Sequence, residues 1–152
     1  MLNDISQIED ETNLLNEMFN DLGEKEQRVI IFLFEWNRPI RVGDMKNYLK
    51  YPHSTLNSVL KRLVKLELVI WENYKQVYLK QIARRMVAHH LQHHKILEIY
   101  FLQELNITSD QAHDESIRVA GVLSCNTILK MKEKITTDRL EQCGIILNNQ
   151  MD

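Results

Sequence analysis

Apolar residues recur at helical spacing through most of the chain. Leu14, Leu15, Met18, Phe19 and Leu22 fall three and four positions apart, which predicts an amphipathic helix over residues 10–22 that Gly23 can end. Val29, Ile30, Leu33 and Phe34 line one face of a second helix, about Glu24–Trp36. Pro39 pushes Arg38 out of helical geometry and breaks it. Val42, Met45 and Leu49 face inward from a third helix over residues 41–50, and Tyr51-Pro52-His53 turns the chain. Ser54 or Thr55 is expected to cap a fourth helix, whose apolar stripe is Leu56, Val59, Leu60 and Leu63.

The pattern then changes period. Two β-rich runs, Leu68-Val69-Ile70-Trp71 and Gln76-Val77-Tyr78-Leu79, flank the polar tip Glu72-Asn73-Tyr74-Lys75, which predicts a hairpin. Three helices followed by a hairpin is the order of a winged helix. A long helix follows over about Gln81–Leu105, with a break at residues 106–108. Thr108 or Ser109 then caps a helix to about Leu123, and Ser124-Cys125-Asn126 opens another to about Ile135. The expected fold class is mainly α: a winged helix-turn-helix DNA-binding domain followed by an all-helical dimerisation domain. The expected boundaries are a 1–22 N-terminal helical extension, a 23–80 winged helix and an 81–152 helical domain. So few helices bury too little surface by themselves. Ile96, Leu97, Tyr100, Phe101, Val119, Val122 and Leu123 are therefore expected to pack against a second subunit, giving a homodimer.

Composition narrows the function classes. Among 152 residues, 44% hydrophobic content excludes disorder along the whole chain, and four Gly with two Pro are too few for a loop-rich β-sandwich. No run of 18 apolar residues exists, and MLNDISQIED lacks the basic start and apolar core of a signal peptide. A cytoplasmic protein with reduced thiols and no membrane partner is expected. Cys125 and Cys143 form no disulfide framework and lack C-x-x-C spacing. With no Gly-rich phosphate loop and no nucleophile elbow, no enzyme is expected.

Charge is unevenly spread. From Arg38 to Arg85 there are eleven bases against three acids, so that window carries +8 and the remainder −10 of a net −2. A basic module on an acidic protein attracts phosphate while the rest limits non-specific adhesion, which points to double-stranded DNA. In a helix-turn-helix the first turn of the recognition helix enters the major groove. Ser54, Thr55, Asn57 and Ser58 are the expected base-edge residues, Asn because it can bond adenine at two positions. Lys61, Arg62, Arg41, and Tyr74 with Lys75 on the wing tip are expected at phosphates.

Four of six histidines fall in His89-His90-Leu91-Gln92-His93-His94. His89/His93 and His90/His94 are i,i+4 pairs on helix faces, and Glu98 continues the second line. His90, His94 and Glu98 offer nitrogen and oxygen donors to a divalent transition metal, and His113 completes the set if the next helix packs antiparallel. The same spacing also fits a polar face or a pH-sensitive dimer contact.

The segments RVGDMKNYLKYPHSTLNSVLKRLVKLELVIWENYKQVYL and HHKILEIYFLQELNITSDQAHDESIRVAGVLS resemble the diphtheria-toxin-repressor and manganese-transport-regulator (DtxR/MntR) family of metal-dependent transcriptional repressors. The likeness runs from about Glu26 to Ile135. It implies a homodimer on a palindromic operator and control by a divalent metal such as Mn, Fe or Zn. The family's H-x-x-x-E on the long helix matches His94 and Glu98. Its His fifteen residues further on matches His113. In the iron-responsive branch these positions form an ancillary metal site. The primary site departs from the family, because Ile117, Ala120 and Gly121 replace its side-chain donors. Glu24 and Glu26 both lie near the family's remaining N-terminal ligand, and neither is assigned. Glu67 stands where the family has a small residue before the wing. The resemblance leaves a metal site shifted to His94, Glu98 and His113, or a regulator with a different trigger. The alternatives are a MarR-type regulator sensing a small organic ligand and a winged-helix protein-interaction dimer.

Overall fold

A computed structural model of the chain describes residues 2–72, 75–136 and 138. Tyr74, one of the expected wing contacts, lies outside the described residues. The elements in order are α1 (Leu2–Asn20), α2 (Glu24–Trp36), β1 (Ile40–Arg41), α3 (Val42–Leu49), α4 (His53–Lys65), β2 (Val69–Ile70), β3 (Gln76–Leu79), α5 (Gln81–Glu104), α6 (Ser109–Val119) and α7 (Cys125–Lys134). The chain divides into two compact units, Met18–Val87 on one hand and Met1–Glu17 with Ala88–Asp152 on the other. Both α1 and α5 contribute residues to each unit.

The Met18–Val87 unit is a winged helix. Helix α4 packs on α2 and on α3, Tyr48 of α3 lies against Phe32 and Trp36 of α2, and α2 and α4 also pack on the sheet. The apolar stripes meet as the periodicity requires: Val29, Ile30, Leu33, Met45, Leu56, Leu60 and Leu63 are buried. Strands β2 and β3 form the antiparallel hairpin of the wing, pairing Val69 with Leu79 and Ile70 with Tyr78. The sequence reading omits β1. This two-residue strand pairs with β3 through Ile40↔Val77 and Arg41↔Gln76, making a three-stranded sheet of order β1-β3-β2. Two residues carry no period, so only the pairing itself reveals the strand.

Three local expectations are corrected. Helix α1 starts at Leu2 rather than near residue 10. In the sequence Leu2, Ile5 and Ile8 carry a three-residue apolar spacing back toward the N-terminus, which the 10–22 window leaves out. Neither Ser54 nor Thr55 caps α4. The N-cap is Pro52 without a side-chain cap, and the helix opens at His53. The Ser58 hydroxyl instead donates to the Ser54 carbonyl at 3.0 Å. Helix α6 ends at Val119, short of Leu123, and the Val122 and Leu123 N–H groups both turn back to the Val119 carbonyl. The other caps follow the sequence. The Thr108 hydroxyl accepts the Gln111 N–H at 3.2 Å while Gln111 Oε1 accepts the Thr108 N–H at 3.0 Å. The Ser124 hydroxyl accepts the Thr127 N–H at 3.2 Å.

The second unit builds a core of its own. Ile96, Leu97, Ile99, Ala120, Ile128 and Ile135 are buried together, with Tyr100, Phe101, Val119, Leu123 and Met131 packed against them. Ile96 and Leu97 thus pack within the protomer rather than against a second subunit. Ala120, Ile128 and Ile135 cover the α5 positions that an isolated helix would leave bare. Of the residues expected at a subunit contact, Val122 is 81% exposed. Leu105, Ile117 and Leu129 are exposed as well.

Candidate metal centre and nucleic-acid interface

On the winged helix, Arg41, Asn57 and Lys75 come together around one groove of about 710 Å³, with His53, Trp71 and Gln76 beside them. Arg41 is the N-cap residue of α3, Asn57 sits in the second turn of α4, and Lys75 leads into β3. The groove therefore lies between α4 and the wing. Its two cations, Arg41 and Lys75, suit a phosphate. Asn57 Oδ1 is buried without a hydrogen-bond partner. Ser54, Ser58 and Lys61 are exposed along α4, and Thr55 is half-buried.

Arg62 has a different placement from the free phosphate contact expected of it. Its Nε lies 2.6 Å from Glu26 Oε1. Glu26 Oε2 accepts the Gly23 N–H at 2.9 Å. One carboxylate thus caps α2 and ties α4 to it. The Arg62 side chain keeps 59% exposure against 11% for Glu26, so its outer nitrogens still reach solvent. This also gives Glu26 a structural partner on either oxygen. His53 and Gln76 are groove residues that sequence reasoning missed. His53 reads as a turn residue, and only the pairing of β1 with β3 brings Gln76 opposite Arg41.

In the second unit, two histidine stripes of α5 face different partners. The first holds His94, Glu98 and, from α6, His113. One donor atom from each lies within 4.8 Å of the others. His113 Nδ1 is 3.5 Å from Glu98 Oε2, and His94 Nδ1 is 4.0 Å from the same oxygen. The two imidazoles meet edge to face at 5.0 Å. Lys95 Nζ stands 3.8 Å from Glu98 Oε1. His94 Nε2 is buried without a hydrogen-bond partner, so a ring nitrogen remains for a cation. Burial lowers the His94 pKa, with Glu98 opposing and His113 and Lys95 assisting. A neutral imidazole is the metal-ligating form. Two nitrogens and one carboxylate oxygen at this spacing fit a divalent transition ion. His90 is not within this group. Burial, then His94 and His89, push its pKa down to about 4. At the family's primary-site positions Ile117 is exposed and Ala120 buried, and Gly121 offers no side-chain donor.

The second stripe was unassigned in the sequence beyond its spacing. His89 and His93 of α5 and Cys125 of α7 are all buried, and their donor atoms lie within 4.8 Å of one another. His89 Nε2 is 3.4 Å from Cys125 Sγ, and the two imidazole centroids are 4.0 Å apart. Burial, then His89 and His90, push the His93 pKa down to about 3. Burial lowers His89 and raises the Cys125 thiol. The i,i+4 histidine pair is visible in the sequence, but nothing local signals that a cysteine thirty-two residues beyond His93 meets it.

Among the described residues, no helix is long and apolar enough to cross a membrane. No family model matches the chain. An uncharacterised HTH-type transcriptional regulator from Methanocaldococcus jannaschii is 24% identical over 106 residues, covering 70% of this chain and 85% of that protein. The crystal structure of a hypothetical protein from Sulfolobus solfataricus matches with a TM-score of 0.63 and 16% identity, over 74% of this chain and 88% of that one. ScaR, a manganese-activated repressor, matches in its Zn²⁺-bound form with a TM-score of 0.62 and 15% identity, over 72% of this chain and 52% of that one. The chain thus has the fold found in metal-dependent repressors of the DtxR/MntR family, a winged helix with a helical second part.

Proposed function

We propose that the chain is a homodimeric, DNA-binding transcriptional repressor of the DtxR/MntR type, under the control of a divalent transition metal. Residues 23–80 serve as the DNA-binding part and residues 81–152 as the dimerisation and metal-binding part. The observation that carries this reading is the winged helix itself: α4 presents Ser54, Ser58 and Lys61 outward, and Arg41, Asn57 and Lys75 line the groove beside it. The likeness to an HTH-type regulator supports it. Ser54, Thr55, Asn57 and Ser58 read base edges, while Arg41, Lys61, Arg62 and the wing residues Tyr74 and Lys75 hold phosphates. The exposed Leu105, Ile117, Val122 and Leu129 of the second unit supply apolar surface for a second copy. Two recognition helices related by a two-fold axis fit a palindromic site with half-sites one DNA turn apart.

His94, Glu98 and His113 hold the regulatory ion. Bound there, the metal supplies a bridge between α5 and α6. Glu98 contributes the charge and orients both imidazoles. Since α5 runs on into the winged helix, ordering its second half biases the population of DNA-competent conformers. A duplex selected from a random pool should bind the full chain more tightly with Mn²⁺ than with chelator. Lys61→Ala should weaken every sequence alike and reduce the salt slope by about one. Failure to select any preferred sequence, with or without metal, overturns the DNA reading. Equal affinity with Mn²⁺, Fe²⁺, Zn²⁺ and chelator overturns the metal control.

A further inference from the structure

The buried trio of His89, His93 and Cys125 is the strongest chemistry the proposed regulator does not use. We propose that these three side chains form a second metal site, a thiolate site that takes zinc(II) in tetrahedral coordination and is separate from His94, Glu98 and His113. In a tetrahedral site with Zn–S about 2.3 Å and Zn–N about 2.0–2.1 Å, a sulfur and a nitrogen ligand stand about 3.5 Å apart. His89 Nε2 and Cys125 Sγ are 3.4 Å apart. The three donor atoms lie within 4.8 Å of one another, so a common centre needs only small side-chain adjustments. His93 is 5% exposed, and its Nδ1 is buried with no hydrogen-bond partner. A buried imidazole nitrogen with no protein partner is costly unless something else engages it.

The fourth position faces α1. The Thr12 carbonyl oxygen is 3.8 Å from Cys125 Sγ. Asn16, one turn further along, has a buried Oδ1 with no hydrogen-bond partner. An oxygen from this face of α1, or a water, completes the tetrahedron. On binding, the Cys125 thiol releases its proton to solvent and the thiolate joins two neutral imidazoles. The donor set separates the two sites by softness. Thiolate with imidazole favours zinc, whereas the carboxylate-bearing set of His94, Glu98 and His113 also accommodates harder ions such as Mn²⁺. The zinc ties α5 to α7, and through the fourth ligand to α1.

The test uses the full chain carrying Cys143→Ser, so that Cys125 is its sole thiol. Titration with Co²⁺, a spectroscopic stand-in for zinc, should raise a thiolate-to-cobalt charge-transfer absorption that saturates at one ion per chain. Zn²⁺ should abolish it. The absorption should survive His113→Ala and vanish in Cys125→Ser. X-ray absorption of the Zn²⁺-loaded Cys143→Ser chain should show a single zinc–sulfur distance near about 2.3 Å. This measurement leaves His89, His93 and Cys125 themselves unchanged. Zinc with nitrogen and oxygen neighbours alone, or an absorption that persists without Cys125, overturns the proposal. None of these outcomes depends on whether the chain binds DNA.

Discussion

The two histidine clusters of α5 share a helix and differ in nearly everything else. His89 and His93 are each 5% exposed and face a thiol, whereas Glu98 is half-buried and His113 keeps 52% side-chain exposure. Burial lowers the pKa of both, and at His93 repulsion from His89 and His90 adds to it. At His94 a carboxylate offsets part of the same burial. A five-residue stagger along one helix is thus enough to give one cluster soft donors in a dry core and the other a carboxylate open to exchange. The first arrangement suits an ion that stays, and the second suits an ion whose concentration is sensed.

The largest effect expected from disturbing this contrast is at the open cluster. His94→Ala should weaken Mn²⁺ binding by more than the about 10–100-fold typical of losing an outer partner, with the circular dichroism unchanged. Calorimetric titration measures it, and undiminished affinity would remove His94 from the metal site.

Next comes the pH response of His93 and its neighbour on α5, His90. The folded-state pKa values of His93 and His90, about 3 and about 4, lie below their ordinary 6.5. In that window the unfolded chain binds more protons than the folded one. Stability is therefore full above about pH 6.5 and is lost as pH falls toward 4, by up to about 1.4 kcal/mol per pH unit for each histidine. Urea midpoints of the metal-free chain at pH 7 and pH 5 should show this loss, and His93→Leu should flatten it. A midpoint that holds steady between those pH values would show that these imidazoles reach solvent readily.

A smaller effect concerns the support of His113. Thr108→Ala removes the cap of the helix that carries it and should cost about 1 kcal/mol in thermal unfolding. Metal affinity should fall in step if α6 must be ordered to present His113. The smallest effect sharpens the comparison most. His113→Ala should weaken metal binding yet leave metal-free stability within about 0.5 kcal/mol, since its side chain is half in solvent. A large destabilisation would make His113 a packing residue.

Much of this was legible because it is local. Helical periodicity places α2 through α7 within a few residues, and the shift to period two after Leu66 marks the wing. Thr108 and Ser124 announce their caps by residue type alone. The i,i+4 spacing places His94 and Glu98 on one face. Other features carried no local signal. Strand β1 exists because β3 lies beside it. The N-cap of α4 moved to Pro52 because the turn sets the backbone there, and Ser54 and Thr55, two and three residues later, already lie inside the helix. Arg62 looked like a free cation until the fold set Glu26 against it.

The sequence by itself determined the order of elements, the stripes that fill both cores, the basic window on the winged helix and the histidine-rich face of α5. These follow from periods and charges that a chain carries wherever it folds. Only the tertiary structure decided which histidine faces which partner. His113 reaches Glu98 because α6 packs against α5, and Cys125 reaches His89 because α7 does. Helix packing brings together residues thirty positions apart, and no local spacing encodes a distance that packing sets.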